Sequence, residues 1–107
     1  MVLKTKSGFL AIISLLTIFI SYGQVTDYRL SVEVLAQETG LPLDNAQISI
    51  TPCDCGGVTN LDGQLTTILP EDIYTITISF IGFSDYVQEV TLNDNKFITV
   101  QMIEEQE

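Results

Sequence analysis

The feature that most constrains the fold of this chain is an alternation of apolar and polar side chains, in short segments separated by turn residues. In the clearest segment the alternate positions are apolar: Tyr28, Leu30, Val32, Val34 and Ala36. The positions between them include Arg29, Ser31 and Glu33. A side-chain period of two is typical of a β-strand with one buried face, not of a helix. A chain built from such segments is predicted to fold as β-sheets.

Six further segments complete a prediction of seven strands. The second has Ala46, Ile48 and Ile50 facing inward, and the others cover residues 58–60, 64–69, 74–80, 86–92 and 96–102. The pair Asp62-Gly63 favours a tight hairpin, with 64–69 as the returning strand, and Gly82 marks a bend. Seven short strands without a helical stretch predict a single-domain, all-β sandwich. A free edge is expected near residues 57–60 or 96–102.

The first 23 residues have the organisation of a cleaved secretory signal peptide. Lys4 and Lys6 precede an apolar run at residues 9–20, and Ser21 and Gly23 occupy the small-residue positions before a cut at Gln24. A spanning helix needs about 20 apolar residues, so a retained anchor is the weaker interpretation. We therefore predict a signal peptide at 1–23 and a β-sandwich domain at 24–107. The domain is therefore expected to be exported and to have no membrane span once the signal peptide is removed.

The composition argues against several classes of function. Asp and Glu total 14 against 4 Lys and Arg, for a net charge of −10, which disfavours binding to nucleic acid. The chain has no His, the most common general base and a common zinc ligand. We therefore predict a non-catalytic protein without a cofactor or a metal. The acidic tail formed by Glu104, Glu105 and Glu107 is expected to be a solvated terminus.

Cys53 and Cys55 are the one chemically unusual pair. In an extended strand their Cα atoms would lie about 6.6 Å apart, at the outer limit of disulfide geometry. Export favours oxidation, so a strained, labile local disulfide is one interpretation. Two thiols that stay reduced or pair elsewhere are the second. A redox-catalytic pair and a metal site are weaker, because no basic residue lies nearby in the sequence and zinc needs four ligands.

Three polar features of the sequence can be considered as binding sites: a turn, a set of carboxylates and a strand face. An EF-hand with Gly63 at its sixth position would need acids at Val58 and Leu69, so the segment 60–63 is predicted to be a plain turn. Carboxylates scattered along the chain could still gather on one rim: Asp44, Asp54, Asp85 and Asp94. The outward face of residues 74–80, with Thr75, Thr77 and Ser79, is expected to be a solvated strand face. Its alternative is a surface that contacts a glycan or a protein.

Four segments, taken in order, resemble the carboxypeptidase regulatory-like domain. They are TGLPLDNA at residues 39–46, GVTNLDG at 57–63, IYTI at 73–76 and SFIGF at 79–83. The resemblance covers about Tyr28 to Met102 and implies a prealbumin-like sandwich of seven strands. The chain departs from the family pattern at residues 71–73, where Glu-Asp-Ile replaces a glycine turn, and at Asp44-Asn45, where Pro-Gly is usual. Asp and Asn are tolerated in turns.

The resemblance also implies a biological setting. In Bacteroidetes, domains of this kind form the N-terminal extension of TonB-dependent outer-membrane receptors, directly after the signal peptide. It therefore implies a non-enzymatic accessory domain whose partner is such a receptor or a component of the TonB system. The implied location is the periplasm, the outer membrane or the cell surface. Residues 102–107 end where a receptor would continue into a TonB box, so a free-standing domain and a receptor fragment both remain open. The alternative function is a cell-surface module that binds a glycan or a peptide.

Overall fold

The computed structural model describes residues 26–105, and the signal peptide predicted at 1–23 lies outside them. All regular elements in this part of the chain are strands. They are β1 (Asp27–Ala36), β2 (Gln47–Thr51), β3 (Cys55–Val58), β4 (Gln64–Pro70), β5 (Asp72–Ser79), β6 (Tyr86–Leu92) and β7 (Lys96–Met102). Residues 26–105 contain no helix that is long and apolar enough to cross a membrane.

The seven strands form two sheets that pack face to face as a sandwich. The smaller sheet has the order β4-β1-β7, in which β1 is antiparallel to β4 and parallel to β7. The larger sheet has the order β3-β2-β5-β6 and is antiparallel throughout. The predicted all-β, seven-stranded sandwich is confirmed. Both segments for which a free edge was expected lie at the edge of a sheet, since β3 and β7 each end one.

The core lies between the two sheets and follows the alternation in the sequence. The central strands β1 and β5 supply much of it, and the largest fully buried side chains include Leu30, Val32, Val34, Ile76 and Ile78. Burying a side chain of this size stabilises the fold by about 1.5–3 kcal/mol relative to leaving it exposed. No buried side-chain nitrogen or oxygen among the described residues lacks a hydrogen-bond partner. The core is therefore both apolar and fully satisfied.

The predicted hairpin between residues 58–60 and 64–69 is wrong. β3 pairs with β2, whereas β4 pairs with β1 in the other sheet. The turn itself is tight, because the Asn60 amide donates to the Gln64 carbonyl oxygen at 2.9 Å. Pairing stops there, since the Val34 amide already donates to the Gly63 oxygen at 2.7 Å and starts the ladder between β1 and β4. The turn thus carries the chain from one sheet to the other.

The third strand also begins earlier than predicted. Its bounds are Cys55–Val58, whereas the sequence pattern indicated residues 58–60. Gly56 and Gly57 carry no side chain to show an alternation, yet their backbones lie opposite Ser49 and Ile48 of β2. Beyond the strand, Thr59 continues the contact, because its amide donates to the Ala46 oxygen at 3.0 Å.

Candidate functional site

The outer edge of β7 presents backbone groups that the described part of the chain leaves unpaired. The carbonyl oxygen of Met102 accepts from Gln37 on the β1 side, and the carbonyl oxygen of Ile103 accepts from Ser84 on the opposite side. Because successive residues of a strand point their backbone groups in alternate directions, Phe97, Thr99 and Gln101 direct theirs away from β1. These three residues form an open row of three donors and three acceptors, which we call the β7 edge.

The β7 edge lacks the features that usually protect an edge strand. Short length, proline, bulges and charged side chains are the common protections. After Lys96 the strand reads Phe-Ile-Thr-Val-Gln-Met, without a charge or a proline. The Phe97 side chain is 59% exposed on the outer face of the sheet. At its far end the edge is closed by residues 82–84, where Phe83 bridges Glu104. The open part is therefore a short, regular slot for an added strand.

A groove of about 650 Å³ lies at the end of the sandwich where β5 and β7 terminate. Three separate parts of the chain form it: the residues before and at the start of β2, the loop between β5 and β6, and the residue Glu105. The loop brings apolar side chains, with the rings of Phe80 and Phe83 in edge-to-face contact at 5.6 Å. Ile81 between them is 96% exposed. We call this the end groove.

The end groove brings together two of the four carboxylates considered for one rim and one residue of the acidic tail. Of the four carboxylates that could gather on one rim, Asp44 and Asp85 line the groove. Asp54 lies instead beside β2 and β3, and Asp94 contacts the Lys96 ammonium at 3.5 Å. Glu105, expected to belong to a solvated terminus, is exposed to solvent and is the third acid of the groove. Its position could not be found from the pattern, because it depends on the backbone bond between the Glu105 amide and the Gly82 oxygen, at 2.9 Å.

The cysteine pair lies in the connection between β2 and β3. Cys53 and Cys55 are joined by a disulfide, with their Cα atoms 5.3 Å apart. Asp54 between them has a φ of 55°, so the connection turns here and is not extended. Cys53 is exposed, whereas Cys55 is half-buried and packs against the core. A shallow groove lies beside the disulfide. Among its lining residues Asp54 is the one acid, and none is a base. The surroundings therefore offer no cation that would activate a thiolate.

The turn at residues 60–63 has a structural role. The side-chain oxygen of Asn60 accepts from the amides of Asp62 and Gln64, both at 3.0 Å. Gly63 has a φ of +73°, and a Cβ there would lie 2.6 Å from the Val34 carbonyl oxygen, so glycine is required. The described residues contain no group of three or more His, Cys, Asp or Glu side chains placed to hold a metal ion.

The outer face of the larger sheet is rich in hydroxyl groups. Thr75 and Thr77 of β5 stand opposite Thr51 and Ser49 of β2. Ser79 stands opposite Gln47 at the rim of the end groove. Such a face is ordinary for a solvated antiparallel sheet. It carries polar groups that could also contact a glycan.

The buried Tyr74 anchors the start of β5. Its hydroxyl donates to the Pro70 carbonyl oxygen at 2.7 Å. Burial raises the pKa of the Tyr74 hydroxyl, and the carboxylates of Asp72 and Asp27 raise it further. The group therefore keeps the proton that this hydrogen bond needs.

Comparison with known proteins identifies the domain. The family model described as CarboxypepD_reg-like domain matches residues 30–107. Among solved structures, the Bacillus anthracis TIE protein superposes with a TM-score of 0.57 at 17% identity, over 74% of this chain and 17% of that chain. A DUF3823 family protein from Parabacteroides merdae superposes with a TM-score of 0.54 at 15% identity, over 76% of this chain and 47% of that chain.

At such low identity the two solved structures share the fold of this chain, and the chain spans 17% and 47% of their lengths. No curated protein matches the sequence significantly. The family match, which covers most of the described residues, is therefore the finding that identifies the domain.

Proposed function

The chain belongs to the CarboxypepD_reg-like domain family, and from this premise we propose that it is an exported, non-catalytic protein-contact module of a TonB-dependent uptake system. The module acts at the outer membrane or in the periplasm, by binding a TonB-dependent receptor or a component of the TonB complex. The signal-peptide pattern at residues 1–23 and the resemblance to receptor N-terminal domains support this setting.

The observation that carries the proposal is the β7 edge. An extended segment of a partner can pair with an open strand edge through main-chain hydrogen bonds, which supply affinity, while side-chain pockets supply specificity. The regular spacing of Phe97, Thr99 and Gln101 offers this pairing over five residues, and the exposed ring of Phe97 adds an apolar contact. The partner strand would extend the smaller sheet from three strands to four.

Capture from an outer-membrane extract of the source organism tests the proposal. The tagged chain from Gln24, which includes the whole sandwich, is immobilised and its bound proteins are identified by mass spectrometry. Thr99→Pro removes one amide donor from the β7 edge, whereas the matched Thr99→Val keeps that donor. We expect the unmodified chain and Thr99→Val to enrich a TonB-dependent receptor or a TonB component. The enrichment by Thr99→Pro should be at least tenfold lower.

Two results would count against this proposal. Equal enrichment by Thr99→Pro would show that the β7 edge is not the contact. Enrichment of no uptake protein by any of the three would remove the uptake setting. In that case binding of the chain to a glycan array, lost when Thr75 and Thr77 are replaced by valine, would favour the alternative of a glycan-binding module. The hydroxyl-rich face of the larger sheet is the observation behind that alternative.

A further inference from the structure

We propose that the end groove binds an extended, positively charged peptide segment that also carries an aliphatic or aromatic side chain. This inference rests on the proposed function as a protein-contact module and specifies a second contact of that module. The occupant belongs to a partner protein. Its two chemical properties follow from the two kinds of surface that the groove combines.

The first property, positive charge, follows from the distribution of ions along the sandwich. The exposed carboxylates of Asp44, Asp85 and Glu105 line the groove, and no cationic residue is among its lining. The cations of the described residues are Arg29 and Lys96, near the first residues of β1 and β7. The groove lies beyond the last residues of β5 and β7, so the length of a strand, roughly 20 Å, separates the two groups. Charges so far apart are screened from each other in physiological salt.

The second property, an apolar side chain, follows from the loop between β5 and β6. Ile81 is 96% exposed, the largest exposure among the large apolar residues of the described chain, and it stands beside the half-buried rings of Phe80 and Phe83. An exposed apolar patch with a polar rim is typical of a protein-contact surface. A small cation would neutralise the carboxylates and leave this patch uncovered. A peptide with alternating basic and apolar side chains contacts both.

The groove also has the size and polarity that such a segment needs. Its volume of about 650 Å³ is within the usual range of about 300–1,000 Å³ for ligand sites. Side chains with amide and hydroxyl groups, from Asn45, Gln47 and Ser79, form the wall next to the larger sheet. These groups can exchange hydrogen bonds with the backbone of an extended peptide.

The test is a titration of the ¹⁵N-labelled chain from Gln24 with acetylated, amidated tetrapeptides, followed by amide chemical shifts. The probe is Leu-Arg-Leu-Arg. The comparison peptides are Leu-Glu-Leu-Glu, which reverses the charge, and Ser-Arg-Ser-Arg, which removes the apolar side chains. We expect the probe to shift amides of residues 44–47, 80–85 and 105, and to bind at least tenfold more tightly than either comparison peptide. Its affinity should fall as salt is raised.

Two variants with equal change in net charge locate the site. Asp44→Asn with Asp85→Asn removes two groove carboxylates and should weaken the probe about tenfold, as expected for two exposed ion pairs. Asp27→Asn with Glu71→Gln removes two exposed carboxylates near the opposite end and should leave the affinity unchanged. Ile81→Ser, at a fully solvated position, should weaken the probe without altering the melting temperature.

Four results would overturn the inference: shifts outside the groove, equal binding of Leu-Glu-Leu-Glu, equal binding of Ser-Arg-Ser-Arg, or equal weakening by the two double variants. Its failure can be separated from failure of the proposed function. If the groove variant Asp44→Asn with Asp85→Asn still captures the uptake proteins from the extract, the proposed function is retained, but the end groove is not the surface that contacts them. If capture fails for every variant while the probe binds the groove, the proposed uptake setting is wrong and the end groove remains a peptide-binding site.

Discussion

β3 and β7, two of the four strands that end a sheet, differ in how open their edges are to pairing. β3 has four residues, begins at a disulfide, and includes Gly56, whose φ of +139° breaks the regular strand geometry. β7 has seven residues in a regular alternation. Short and irregular edges are poor templates for pairing, whereas long and uncharged ones invite it. The difference indicates that β3 is protected and β7 is available.

This comparison also shows how the fold limits where contact can occur. The β3 edge lies next to β4, at the side where the two sheets approach each other. The β7 edge is bounded by Lys96 at one end and by residues 82–84 at the other. An extended segment of about five residues can pair with the part of the edge between these bounds. A longer hydrophobic edge would also pair with copies of itself, so the bounds restrict aggregation while leaving a slot for a partner.

The largest expected effect on stability distinguishes the two hydrogen-bonding sides of β7, one toward β1 and one at the β7 edge. Val100 directs its amide toward β1, and Thr99 directs its amide toward the β7 edge, so proline at the two positions removes donors from opposite sides. Val100→Pro breaks the ladder to β1 at a buried position and should lower the free energy of unfolding by about 3 kcal/mol or more. Thr99→Pro should cost less than about 1 kcal/mol, because an edge strand tolerates proline. Urea unfolding monitored by circular dichroism measures both.

Equal losses for the two proline variants would contradict the assignment of the two backbone faces. Val100→Ala provides the side-chain control, since it removes buried apolar volume but keeps the amide. Its loss, expected to be smaller than that of Val100→Pro, separates packing from the hydrogen bond.

The second prediction concerns β3, where two adjacent glycines differ in their surroundings. A Cβ at Gly56 would clash with the backbone oxygen of Ile48, and the positive φ adds strain. A Cβ at Gly57 would lie 3.4 Å from the flexible end of Leu65. Gly56→Ala should therefore lower the free energy of unfolding by about 2–3 kcal/mol, and Gly57→Ala by less than about 1 kcal/mol. Thermal and urea unfolding of both variants would show whether β3 depends on its irregular geometry. Similar values would contradict that view.

The sequence predicted the strands better than it predicted their partners. Alternation is a local property, so residues 86–92 and 96–102 were predicted with the bounds found for β6 and β7. Pairing depends on residues far apart in the chain, and the Asp62-Gly63 turn therefore gave a hairpin that does not exist. The end groove shows the same limit. Asp44 and Asp85 were candidates for one rim, but Asp54 and Asp94 were equally so until the fold separated them.

The third prediction concerns the attachment of β3 to the loop before β2. The buried hydroxyl of Thr59 donates to the Leu43 oxygen at 2.6 Å and accepts from the Ala46 amide at 2.9 Å. Thr59→Val keeps the shape but leaves both backbone groups without a partner. The expected loss in free energy of unfolding is about 1–3 kcal/mol. Thr59→Ser keeps the hydroxyl, and it should retain more stability than Thr59→Val if the hydrogen bonds matter more than the methyl group.

The smallest expected effect comes from the disulfide at the start of β3. A bond between Cys53 and Cys55, two positions apart, closes a very short loop, so it restricts the unfolded chain little. Replacing both cysteines with serine should therefore lower the free energy of unfolding by about 1–2 kcal/mol. Amide shifts should change at residues 51–58 and stay constant in β7, which belongs to the other sheet. Iodoacetamide should label the native chain only after a reductant is added. Labelling without reductant would favour the alternative of two unpaired thiols, and large shifts in β7 would show that the two edges are coupled through the core.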